Sequence, residues 1–503
     1  MRYSKQLQLF STAMALFTIM LLVACSGGGG GGGTTPTSGS STRSVSSGGI
    51  EGFGSVIVNG VRFNTDSAEF EVENETSSSQ DDLSVGMQVV VEGSIDDNGT
   101  TGTATRVRFE DNLEGPITSV TPSDTGLSKT LSVMGQTVRV ENGVTVFDNS
   151  DPSFNFASLG PANVGNVVEV SGNDMPDGSI QATFIERKAN DLASFIAANG
   201  ELELKGSIAN LTANTFTIGS LTIDYSTASL FDLDNSPSNQ LENGLPVEVK
   251  GTQLAVNVFT AATVEVRLAG LGLDNVAKAE VEGFITQLNT GTQTFVVNGQ
   301  RISYANATFR AGLVEELANG IKVEAEGPMA GAVLNATRVT FKESIRFEAN
   351  VATVSGNTLT LQGLPGITIQ ADSDITRIEN TTGPSSLSAG NNLRVRARPA
   401  GNSGNMVATR IILRDPDPDD RLIAQGPVDS FNSSAGTVTL LGNLVTVNTT
   451  TIQDDEFEFE DQIIGRDAFF VSLIQGDIVK ARARLQAGNF IWEAIEIEVE
   501  DNN

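Results

Sequence analysis

A chain of 503 residues with 39% hydrophobic content is long enough for several cores and too apolar for a disordered acidic tail. Its 61 Asp and Glu against 31 Lys and Arg leave a net charge of −30, which argues against nucleic acid as a partner and against flat docking on anionic lipid. There is no histidine, which removes Ser-His-Asp and Cys-His catalysis and the usual zinc and copper sites, and no Gly-x-x-x-x-Gly-Lys-Ser/Thr phosphate loop occurs.

The chain opens with Arg2 and Lys5 and runs apolar from Ala13 to Ala24. That run is short for a membrane span and has the layout of a signal peptide over residues 1–24. Leu22-Val23-Ala24-Cys25 resembles the bacterial lipobox, and Cys25 is the only cysteine. The resemblance implies that Cys25 becomes the first mature residue and carries acyl chains. Ser26 in place of Asp implies an outer-membrane address, facing the periplasm or the cell surface. An unpaired thiol would otherwise be a liability in an oxidising compartment. Glycines 27 to 33 and the Ser/Thr/Gly stretch after them read as a flexible tether over residues 25–48, with a reach of roughly 25–30 Å. A transmembrane β-barrel would want aromatic girdles, which Trp492 and three Tyr do not supply.

Beyond the tether, Val, Ile, Thr and Phe with many of the 52 glycines predict an all-β protein. A glycine followed three residues later by an aliphatic residue recurs as Gly86/Val89, Gly165/Val168, Gly244/Val247, Gly320/Val323, Gly390/Leu393 and Gly476/Val479. An alanine follows each at a distance of 16 to 18 residues: Ala104, Ala182, Ala262, Ala336, Ala408 and Ala494. In three copies it opens the tripeptide Ala-Thr-Arg, at Ala104, Ala336 and Ala408. Upstream, Val56-Ile57-Val58-Asn59-Gly60-Val61-Arg62-Phe63 and Phe295-Val296-Val297-Asn298-Gly299-Gln300-Arg301-Ile302 read as tight hairpins, because glycine supplies positive φ. These marks predict six tandem repeats of about 70–85 residues, each a small β-barrel or sandwich of five or six short strands, OB-like in size. The expected repeats are 49–114, 115–199, 200–278, 279–346, 347–420 and 421–503. Short helices are expected around Leu313 to Ala318 and Asp467 to Leu473. Asp415-Pro416-Asp417-Pro418-Asp419-Asp420 reads as a stiff spacer between the last two.

Gly49-Ile50-Glu51-Gly52-Phe53-Gly54-Ser55-Val56, with Val58-Asn59-Gly60, Leu83-Ser84-Val85-Gly86-Met87 and the Ala-Thr-Arg strand, resembles the domain of unknown function 5666. Tandem copies of that domain occur in bacterial lipoproteins and exported proteins. The resemblance implies a β-fold and an envelope location, and brings no catalytic residue, ligand or cofactor.

Among chemical constellations, Asp232-Leu233-Asp234-Asn235-Ser236 begins like a calcium loop, but Pro237 replaces the required glycine and Asn243 the closing Glu. Glu456, Glu458 and Glu460 alternate with Phe457 and Phe459, the pattern of a strand with one wet face rather than a metal site. The outward positions of the Gly-x-x-Val strand are acidic in early repeats and basic in the last two: Arg394, Arg396 and Arg398, then Lys480, Arg482 and Arg484. Each trio shares one strand face. It serves either cross-strand and inter-repeat ion pairs or a stripe for an anionic ligand. The expected function is non-enzymatic and needs no cofactor. Six β-domains in a rod or arc are anchored to the membrane by lipid, and present surfaces to an envelope protein or polysaccharide. The alternatives are a carboxylate-based hydrolase acting on envelope glycans and a passive spacer.

Overall fold

The computed structural model describes residues 43–501 apart from 74–77, 97–98, 274, 344, 401–403, 417–420, 443, 460–461 and 485–491. Cys25, the signal segment, most of the tether and Asp417-Pro418-Asp419-Asp420 of the expected spacer lie outside the described residues.

In repeat 1 the strands are β1 (Ser44–Gly52), β2 (Val56–Val58), β3 (Val61–Asn64), β4 (Glu69–Val72), β5 (Gln88–Ile95) and β6 (Thr101–Phe109). Every second side chain of β2 and β3 is buried, and the two strands join through Asn59 and Gly60, with φ of 52° and 75°. A turn with both central residues left-handed matches the strand twist, so Asn-Gly fits there. The barrel closes in the order β1-β2-β3-β6-β5-β1, and only the β3–β6 contact is parallel. This is a five-stranded Greek-key order of the OB type. The short β4 lies parallel to the second half of β6.

The other repeats use the same order, with the matching parallel contact at Ile180↔Val138, Thr222↔Val258, Arg301↔Val333, Thr368↔Asn405 and Val447↔Trp492. In repeat 3 the barrel divides into two sheets, and a single bridge, Ala209↔Thr217, joins its first strand to the hairpin. The helical segments fall where expected, as the 3-10 turn Val314–Glu316 and the α-helix Arg466–Ser472. Among the described residues no helix is long and apolar enough to cross a membrane.

The recurrent glycines have one shared job. Gly86, Gly165, Gly244, Gly320, Gly390 and Gly476 all sit at φ between 86° and 99°. Each donates its N–H, at 2.7–2.9 Å, to the carbonyl of a buried β-branched residue in the first strand or directly after it: Ile50, Ile117, Ile208, Ile285, Val351 and Val428. The residue after each glycine returns a carbonyl to the same partner's N–H, at 2.8–2.9 Å. The left-handed turn thus locks the fourth barrel strand onto the first.

The repeats do not follow one another in a line, which corrects the rod or arc. Repeat 1 shares a sheet with repeat 4, through β1 running parallel to Val276–Phe284 from Ser44↔Lys278 to Ser47↔Val281. Repeats 2, 4 and 5 begin with the strands Leu113–Pro122, Val276–Phe284 and Ile345–Ser355, two or three residues before the expected boundaries at 115, 279 and 347. Repeats 2 and 3 join through their antiparallel first strands, at Leu204↔Leu113 and Glu203↔Glu114. Repeats 5 and 6 join likewise, from Arg346↔Gln425 to Glu348↔Ile423. Repeats 2 and 3 share one apolar core, and so do repeats 5 and 6. The expected tether is corrected at its end: residues 44–48 belong to β1, flanked by β5 and Val276–Phe284. Ser and Gly there are the small residues of a crowded centre. A Cβ on Gly48 would lie 2.2 Å from the Asn59 carboxamide, and Val45 is fully buried in the core of repeat 4.

Candidate functional site

The Ala-Thr-Arg tripeptide resolves into three roles. Ala104, Ala336 and Ala408 are buried. Pairing slips by one residue next to Ala104 and Ala408, a β-bulge that leaves the following threonine unpaired. The hydroxyls of Thr105, Thr337 and Thr409 donate to the opposite carbonyls of Glu92, Glu326 and Arg396, at 3.1, 3.2 and 3.4 Å. The arginines then form ion pairs: Arg106 with Glu71, Arg338 with Glu326 and Arg410 with Glu379.

The basic trios are spent largely on neighbours. Arg394 donates through Nε to Glu348, at 2.6 Å, and through Nη1 to Glu316 of repeat 4, at 2.8 Å. Arg396, 2% exposed, donates to Glu316 at 2.7 Å and to the carbonyls of Ala311 and Glu343 at 3.1 and 3.0 Å, and it stacks 4.5 Å over the Phe341 ring. Burial alone would raise the Glu316 carboxyl, but Arg396, Arg346 and Arg394 outweigh it and hold it at about 2. Arg398 pairs with Glu141 of repeat 2. In repeat 6, Lys480 pairs with Glu498, and Arg482 with Glu496 at 2.6 Å. Arg484 closes its strand opposite Arg421, and its side chain lies outside the described residues.

Glu458, expected on the wet face of a strand, meets Glu496 and Glu498 so that carboxylate oxygens of the three lie within 4.8 Å of one another. Lys480 and Arg482 already oppose two of these carboxylates, so the group is largely neutralised from within. Between the first two acids of that run Phe457 is buried, and Glu460 lies outside the described residues.

Sequence reasoning missed a row of acids across the joined sheet of repeats 2 and 3. Glu186, Glu169, Glu114 and Glu203 occupy four adjacent strands, each directly opposite the next. Lys188 holds Glu169 at 2.8 Å, while Lys205 holds Asp111 at 3.0 Å and Lys250 holds Glu203 at 2.7 Å. Burial, reinforced by neighbouring carboxylates against Lys188, pushes Glu114 up to about 7 and Glu169 up to about 8. Burial would also raise Glu203, yet Lys205 and Lys250 hold it at about 2. No local motif could show this row, because its members lie on strands far apart in sequence. The one usable signal was an outward acid on consecutive first strands.

Where repeats 1 to 4 meet, a cavity of about 1030 Å³ opens, lined among others by Arg108, Asn112, Asp174, Ser207 and Gln287. Its walls are stitched by Asn298 and Gln300: Asn298 donates to Asn173 at 2.8 Å, and Gln300 accepts from the Leu271 N–H at 3.2 Å.

These features define a class: a tandem array of small five-stranded barrels, fused in pairs through their first strands. The chain belongs to the family described as Domain of unknown function (DUF5666), whose model matches residues 44–108, 114–186, 205–265, 282–340, 348–412 and 425–498. No curated protein matches the chain. Among solved structures, one titled "drosophila Unr CSD456" is similar at 12% identity, covering 61% of this chain and 98% of its own, with a TM-score of 0.16.

Proposed function

We propose that the chain is a non-enzymatic scaffold of the bacterial cell envelope. It is anchored to the outer membrane by a lipid on Cys25 and presents its joined barrels to an envelope protein or polysaccharide. One observation supports this reading above the others: the basic trio of repeat 5, which could have formed a ligand stripe, fastens that repeat to its neighbours. Arg394 and Arg396 grip Glu316, and Arg398 grips Glu141. Asp372 of repeat 5 accepts from Ser123 of repeat 2 at 2.7 Å. Such contacts favour a platform whose barrels hold fixed relative positions over a spacer, for which length alone would matter. They leave the variable segments and the cavity between repeats as the surfaces for recognition.

The test is chemical crosslinking in intact source cells, followed by purification through a C-terminal tag. One dominant co-purifying protein or glycan is expected, and a partner-free chain would overturn the reading. Acyl labelling that persists in Cys25→Ala would overturn the anchor.

A further inference from the structure

We infer that the cavity where repeats 1 to 4 meet is a binding site for a neutral oligosaccharide. This rests on the scaffold reading and names the ligand class for one of its surfaces.

The size suits the inference: about 1030 Å³ is just above the roughly 300–1000 Å³ typical of ligand cavities, room enough for several sugar units. No aromatic side chain lines it among the described residues, so a flat aromatic ligand or nucleobase finds no stacking partner. Most of its charges are already matched. Arg267 holds Glu110, and at 3.0 and 3.2 Å Glu248 and Glu265; Lys205 holds Asp111 at 3.0 Å; Glu71 is held by Arg106. A highly charged ligand would have to break these pairs.

What stays available is hydrogen-bonding capacity of both senses. Asp174 ends its strand at the cavity with its carboxylate unpaired among the described residues. Only its N–H is engaged, donating to Asn298 at 3.1 Å. The side chain is solvent-exposed yet ringed by protein, and burial alone pushes its carboxyl above the ordinary range. Asn112 accepts from the Gly172 N–H at 2.7 Å and keeps its NH₂ group free among the described residues. Ser207 and Gln287 are exposed and make no side-chain bond there. Arg108 donates one N–H to the Leu271 carbonyl at 3.2 Å and has others to offer. One anionic acceptor, one cationic donor and three neutral groups, drawn from all four repeats, suit a chain of hydroxyls. Each hydroxyl donates and accepts, and none needs a counter-ion.

The experiment is isothermal titration of the full chain in detergent micelles. The probes are maltohexaose, cellohexaose and mannohexaose, with oligogalacturonate as the anionic control. The inference expects at least one neutral hexasaccharide to bind, with little change on adding salt, and oligogalacturonate to fail. Asp174→Asn should weaken binding about tenfold, the loss of one charge-assisted hydrogen bond. Asp174→Asn combined with Gln287→Ala should weaken it further, because a second polar contact is lost. An unchanged thermal midpoint confirms that each variant is folded. The inference is overturned if no neutral hexasaccharide binds. It is equally overturned if binding is unchanged in the folded Asp174→Asn, Gln287→Ala double variant, or if oligogalacturonate alone binds. If crosslinking still captures a protein while every sugar fails, the scaffold reading stands and the cavity inference falls. A partner-free chain that binds a hexasaccharide would leave the cavity as the surviving claim.

Discussion

Arg396 of repeat 5 crosses into repeat 4 and donates to Glu316 at 2.7 Å, with both side chains almost wholly buried. The pair is worth most as a constraint, because removing one partner strands the other charge in a low-dielectric interior. Glu316→Gln should therefore destabilise the chain by about 3–5 kcal/mol, and Glu316→Gln with Arg396→Met should recover part of that. The Glu316 carboxyl is held at about 2 against an ordinary 4.5, so its contribution is present in full above pH about 4.5 and is lost as pH falls toward 2. Urea unfolding at neutral and at acid pH checks both. A variant as stable as the wild type at pH 7 would dismiss the lock.

The acid row of repeats 2 and 3 works in the opposite direction. Glu114 and Glu169 are raised to about 7 and about 8, so the folded state holds protons that the unfolded chain releases. That stabilisation is complete below the ordinary value of 4.5 and is lost as pH rises through 7 and 8. Among the described residues the ladder between these first strands has two residue pairs, extended by the Lys205 N–H donating to the Asn112 carbonyl at 3.0 Å, and one pair sets Glu203 opposite Glu114. Amide hydrogen exchange should show the first strands of repeats 2 and 3 opening more at pH 9 than at pH 6. Glu114→Gln should remove much of that difference and stabilise the chain at pH 9 by about 2 kcal/mol. Protection factors, corrected for the intrinsic pH dependence of exchange, that are the same at pH 6 and pH 9 in the wild type would refute this.

The contrast between these two clusters shows what the chain reveals locally. The hairpins at Asn59-Gly60 and Asn298-Gly299, the Gly-x-x-Val turns and the Ala-Thr-Arg strand were legible because each acts within a few residues of itself. So were the outward basic trios, since alternation alone fixes a strand face. Their destinations were not legible. Arg398 meets Glu141 across 257 positions, and Glu316 meets three arginines of another repeat. Which first strand pairs with which depends on the exposed sheet edges of folded barrels, a property no single repeat encodes. Residues 44–48 were read as tether because Ser and Gly signal flexibility in isolation, whereas a crowded central strand selects the same small residues for their size.

The recurrent glycine offers a clean measure of conformational strain. Gly390 sits at φ 89°, and a Cβ there would meet nothing within 4 Å. Gly390→Ala therefore changes little except the backbone penalty for a left-handed residue, about 1–2 kcal/mol. Equilibrium unfolding should register that loss with no change in the slope against denaturant. Gly86→Ala should cost more, because at φ 92° its Cβ would also come within 2.5 Å of the Thr183 carbonyl of repeat 2. Equal losses for the two would mean that the repeat 1–repeat 2 contact carries no weight.

Ser46 separates the two readings of the segment before residue 49 most sharply. It is fully buried, lies opposite Val91 on one side and Glu280 on the other, and accepts from the Asn59 carboxamide at 2.9 Å. A flexible tether would accept proline at this position without consequence. A strand with neighbours on both sides would not, because proline removes an N–H from the ladder and fixes φ. Ser46→Pro should therefore cost about 3 kcal/mol or more. It should weaken two barrels at once, since β1 is both the first strand of repeat 1 and the partner of the first strand of repeat 4. Limited proteolysis reports the consequence by position, with new cleavage expected in both repeat 1 and repeat 4 and repeats 5 and 6 left resistant. Cleavage confined to repeat 1 would show that the parallel pairing of Ser44–Ser47 with Lys278–Val281 does not support repeat 4.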